Sequence, residues 1–94
     1  MRRAGKRWRE SAPAYVADCF DDPKFSDRFT VYLSPEEDGR IMYIGATETG
    51  GTYFGESSTS EARAYRYRSG HQRVRWLDLP KAVRDAVINR MEAE

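Results

Sequence analysis

The chain is poor in the residues from which small proteins build reactive centres. Its 94 residues include one cysteine, Cys19, and one histidine, His71. A lone cysteine excludes an internal disulfide framework and suits a reducing compartment. One cysteine with one histidine cannot close an ordinary structural zinc site. Long apolar runs are also missing. Nothing approaches the roughly 18 residues of a membrane span, and no hydrophobic stretch of a signal peptide follows the arginine-rich start. These absences lead to the expectation of a soluble, cytoplasmic protein with no membrane role. Hydrophobic residues make up 39% of the chain and charged residues 33%, a polar balance for a globular domain. A chain of this length buries only about two-thirds of its unfolded surface, so the core is modest and a homodimer would help to stabilise it.

Acids are absent from residues 1–9, which hold Arg2, Arg3, Lys6, Arg7 and Arg9 around Trp8. The net charge of +1 therefore hides a polarised molecule. Residues 18–38 carry Asp18, Asp21, Asp22, Asp27, Glu36, Glu37 and Asp38 against Lys24 and Arg28, whereas residues 62–77 carry Arg63, Arg66, Arg68, Arg73 and Arg75 with no acid. Such segregation favours steering of a charged partner or association of unlike patches.

What is present reads as a flexible basic arm at 1–10 followed by a single α+β domain at 11–94. Pro13 in a first turn, with Tyr15, Val16, Cys19 and Phe20 at near-helical spacing, predicts a short N-terminal helix that ends at Asp21-Asp22-Pro23. Arg28-Phe29-Thr30-Val31-Tyr32-Leu33 and Arg40-Ile41-Met42-Tyr43-Ile44-Gly45 read as a hairpin. Asp38-Gly39 sits in its connection, which is longer than the tightest two-residue type. Residues 47–60 read as a loop pinned by Tyr53-Phe54. Ser58 and Glu61 form a capping-box pattern for a short helix reaching Arg68. Gln72 to Leu77 reads as a third strand, and Pro80 opens an amphipathic helix with Val83, Ala86, Val87 and Met91 on one face. The expected fold is a small antiparallel sheet of about three strands packed against the C-terminal helix. Its expected core is Phe29, Val31, Leu33, Ile41, Tyr43, Val74, Trp76, Leu79, Val83, Val87 and Met91.

No cluster has the spacing of a nucleophilic, metal-binding or nucleotide-binding centre. His71 reads as a turn residue and Cys19 as a small buried hydrophobe. The acid runs do not match a calcium loop, and no cofactor, metal or enzymatic activity is expected. Two features point to binding. Glycines and aromatics at Gly50, Gly51, Tyr53, Phe54 and Gly55 suit a loop whose backbone N–H groups hold a small anion, although the Lys-Ser/Thr ending of a phosphate loop is missing. Arg63, Arg66, Arg68, Arg73 and Arg75, interleaved with Tyr65, Tyr67 and Trp76, suit either a protein interface or DNA or RNA. In the second case the basic arm residues Arg2, Arg3, Lys6, Arg7 and Trp8 would assist.

The order Asp27-Arg28-Phe29-Thr30-Val31, Tyr43-Ile44-Gly45-Ala46, Phe54-Gly55-Glu56 and Arg73-Val74-Arg75-Trp76-Leu77-Asp78-Leu79-Pro80 with a closing helix resembles small uncharacterised proteins encoded by bacteriophages and prophages. Residues 27–90 carry the resemblance. It implies a compact accessory domain in the bacterial host cytoplasm, with no site residue to transfer. The leading expectation is a non-enzymatic interaction protein that binds and modulates a host protein. Nucleic-acid binding and capture of a small anion are the alternatives.

Overall fold

A computed structural model of the protein describes residues 10–65 and 72–93. Residues 34–39 connect the second and third strands and end in a tight turn at Asp38-Gly39. Both residues adopt left-handed φ, 51° and 72°, the two-residue geometry that matches strand twist. Glu37 and Arg40 close the turn by exchanging N–H···O bonds of 2.9 Å. The whole connection runs from residue 34 to residue 39, longer than the tightest two-residue type as expected, and the tight turn is nested at its end. β2 (Phe29–Leu33) and β3 (Arg40–Ala46) pair antiparallel, with Phe29 opposite Ala46 and Val31 opposite Ile44.

This register directs Ile44 and Ala46 to the core and sends Ile41 and Tyr43 to the other face, the reverse of the expectation for β3. Ile44 is fully buried, while Met42 on its face lies near the end of the strand and is 41% exposed. A face chosen from hydrophobicity alone is ambiguous in a strand that is apolar on both sides. The pairing with β2 resolves it, by setting Ile44 opposite Val31 and Ala46 opposite Phe29.

The sheet has five strands in the order β4-β3-β2-β1-β5, which overturns the expected three. β1 is Val16–Asp21, where a helix was expected. Its pairing with β2 carries a bulge between Val16 and Asp18. The extra residue, Ala17, puts Val16 and Cys19 on one face although they are three apart, and this imitates helical spacing. β4 is Thr52–Ser58, inside the expected loop, and pairs with all of β3. The expected strand at 72–77 shrinks to β5, Gln72–Arg73, which pairs with Asp21 and Phe20 of β1. There the chain leaves the sheet because Asp78 accepts the Arg75 N–H at 3.0 Å and folds Trp76–Asp78 into a 3₁₀ turn.

α1, Thr59–Tyr65, begins where Ser58 Oγ accepts the Glu61 N–H, and α2 is Lys81–Glu92. The N-terminal capping bond expected from Ser58 is therefore present. The expected reach to Arg68 lies outside the described residues.

One face of the sheet packs Val16, Cys19, Phe29, Val31, Leu33, Ile44 and Ala46 against Trp76, Leu79, Val83 and Val87, with Val74 and Met91 at the margin. Each fully buried aliphatic side chain contributes about 1.5–3 kcal/mol. The opposite face carries Asp18, Phe20, Tyr32, Tyr43 and Tyr53, with Tyr65 of α1 leaning onto Phe20 and Tyr32. Among the described residues, no helix is long and apolar enough to cross a membrane.

Candidate functional site

Tyr43-Ile44-Gly45 and Tyr53-Phe54-Gly55 repeat one pattern on adjacent antiparallel strands. Pairing crosses them, so that Tyr43 faces Gly55 and Gly45 faces Tyr53. Each ring lies over the glycine of the other strand, in the space a Cβ there would need. Strand glycines normally weaken a sheet, but here the missing side chains make room for aromatic cover. Tyr65, Tyr32, Tyr43 and Tyr53 thus form a row of edge-to-face contacts, with centroid separations of 6.1, 5.6 and 6.3 Å. Phe20, fully buried, anchors one end of the row against Tyr32 and Tyr65.

These rings form part of the wall of a groove of about 400 Å³ on the face opposite the main core. The volume falls within the usual range of ligand sites, about 300–1,000 Å³. Asp22 and Asp27, from the segment between β1 and β2, Glu61 of α1 and Glu56 of β4 contribute carboxylates, Glu56 being paired with Arg40 at 3.2 Å, and among the described residues no Lys or Arg lines the groove. Tyr53 Oη donates to Asp27 Oδ2 at 2.7 Å. That bond, then burial, then the charge on Asp27 push the Tyr53 phenol well above the ordinary tyrosine value.

An alkaline absorbance titration should therefore show a late-ionising phenol that disappears in Tyr53→Phe. Because the folded pKa is raised, the stabilisation from this bond is present below the unfolded tyrosine value near ~10 and is lost as pH rises through the folded one. At neutral pH the substitution should cost up to about 1 kcal/mol, since the pair is exposed. An unchanged titration curve in the variant would remove the bond from the account.

The residues singled out from sequence are placed differently. Arg2, Arg3, Lys6, Arg7, Trp8, Arg66, Arg68 and His71 lie outside the described residues. Of the rest of the arginine cluster, Arg73 Nε donates to Asp18 at 2.6 Å and Arg75 to Asp78 at 2.8 Å. The Arg75 bond holds the Asp78 carboxyl below the ordinary aspartate range. Arg63 is exposed on α1 and borders a smaller cavity of about 160 Å³ that it shares with Asp18 and Glu36. Two of the three described arginines are thus committed to carboxylates within the fold.

The 50–55 segment does not act as one loop. Gly50, at φ +100°, gives its N–H to Thr47 O, and Gly51 gives its N–H to Thr47 Oγ1. These donors close the β3–β4 turn instead of converging on an anion. Tyr53 faces the groove, Gly55 lies beneath Tyr43, and Phe54 sits on the opposite face under the Arg90 guanidinium at 4.7 Å. Tyr32, Tyr43, Asp22, Asp27 and Glu61 were missed as site residues. The crossed Tyr-x-Gly repeat was the one signal able to reveal the tyrosine pair, and only together with the pairing of β3 and β4.

Among the described residues, no group of three or more His, Cys, Asp or Glu is placed to hold a metal ion. No family model, curated protein or solved structure matches the chain.

Proposed function

We propose that this chain is a non-enzymatic interaction protein that docks a partner protein in the tyrosine-lined groove. The single observation that carries the reading is the groove itself, where a row of tyrosines stands beside Asp22, Asp27 and Glu61, with no lining cation among the described residues. Tyrosine supplies large, stiff contact area at low entropic cost, which is why it is enriched at protein interfaces. The resemblance to bacteriophage accessory proteins points to a host protein as that partner.

The test compares capture from bacterial lysate by the wild type and by Ser57→Trp. Ser57 is a half-buried groove residue, so the substitution fills the site from within. A protein retained by the wild type and lost from the folded variant is the expected result. Equal retention by both, or nothing above background at low and moderate salt, would count against docking at this site.

A further inference from the structure

We infer that the groove receives an arginine side chain from a basic segment of the partner protein, which rests on the docking role proposed above and specifies its chemistry. Asp22 carries this inference. It lines the groove yet is only 7% exposed. Its carboxylate accepts one long backbone N–H, from Lys24 at 3.4 Å, and no cation pairs with it among the described residues. A carboxylate that faces the groove with one long protein hydrogen bond keeps acceptor capacity for a positive group that brings its own donors.

The surroundings suit a guanidinium better than an ammonium. Asp27, already oriented by Tyr53, and the exposed Glu61 offer further acceptors at the rim. The tyrosine row presents flat faces on which a planar cation stacks. Arginine supplies both the fork of donors and the stacking plane, whereas lysine brings a compact, strongly hydrated charge. Among the described residues the lining contains no Lys or Arg, and Arg40 engages Glu56 alone, at 3.2 Å.

The test is an NMR titration of the full chain with a capped Gly-Arg-Gly-Arg-Gly peptide, its citrulline counterpart and its lysine counterpart. Citrulline keeps the shape and removes the charge. The arginine peptide should shift the ring signals of Tyr32, Tyr43 and Tyr53, and the other two should bind about tenfold more weakly, a difference of about 1.4 kcal/mol. Asp22→Asn should lower arginine-peptide affinity by a similar factor and leave citrulline-peptide affinity unchanged. Glu61→Gln, at an exposed position, should reproduce part of the loss with no folding risk.

Equal binding of the arginine and citrulline peptides would overturn the inference while leaving docking in the groove intact. Equal binding of lysine would overturn the guanidinium assignment. Ring signals that move with protein concentration alone would assign the groove to a second copy of this chain. Absence of any shift would overturn the inference as well, and the Ser57→Trp comparison judges the docking reading separately.

Discussion

Trp76→Ala is expected to lower unfolding free energy by about 3–5 kcal/mol, the range for removing a buried aromatic side chain from a core. Trp76 is 2% exposed and sits in the 3₁₀ turn that joins β5 to α2, in one cluster with Leu79, Val83 and the inner face of the sheet. Its loss removes apolar burial and leaves a cavity between sheet and helix that neither can close without moving. That loss is a large share of the whole, since small domains are held by only about 5–15 kcal/mol. The thermal midpoint should fall by more than about 12 °C. Trp76→Phe should retain much of the packing and cost markedly less. Chemical denaturation of the three proteins checks the ordering, and a loss under about 1 kcal/mol for the alanine variant would remove Trp76 from the core.

The second large effect belongs to the other face of the sheet. Phe20→Ala is expected to cost about 3–5 kcal/mol, again as a cavity in a fully buried site. Its consequence differs, because Phe20 packs edge-to-face on Tyr32 at 5.9 Å and on Tyr65 at 5.0 Å, and so ties the end of α1 to β1 and β2. Each such ring pair adds about 0.5–1.5 kcal/mol beyond area burial. Phe20→Leu should restore part of the stability by filling volume, yet leave the tyrosine ring signals displaced because the edge-to-face contacts are gone. Ring spectra identical to wild type in Phe20→Leu would show that Phe20 fills space without positioning the groove.

How much of this was legible depended on where local pattern and tertiary pairing agreed. The C-terminal helix was readable because Pro80 opens it and Val83 and Val87 recur at the spacing of one helix face, and both are fully buried. β2 was readable for the same kind of reason, with Phe29, Val31 and Leu33 alternating toward the core. β1 was hidden by its bulge, which turns an alternating strand into an apparent helix at Val16 and Cys19. β4 was hidden by its composition. Glycine and serine lower strand propensity, and nothing local shows that Gly55 is short of a side chain because Tyr43 occupies its place.

The arginine cluster shows the same limit on the functional side. In sequence, Arg73 and Arg75 are two more cations in a basic stretch. In the fold, Arg73 reaches Asp18, 55 positions away, and Arg75 turns back to Asp78. Asp18 of the acidic stretch and Asp78 beside the basic one thus satisfy two of these arginines, and among the described residues the charge lining the groove is negative.

What the sequence by itself determined is the class and the ingredients: a small α+β domain, a central hairpin, a closing helix and segregated acidic and basic stretches. These are properties of short windows, and propensity and periodicity act over short windows. Tertiary structure alone decided the five-stranded order, the face each strand presents, and the meeting of Asp22, Tyr43, Tyr53 and Glu61 around one groove. Those outcomes depend on contacts between segments tens of residues apart, where a single-residue change of register moves every side chain to the opposite side.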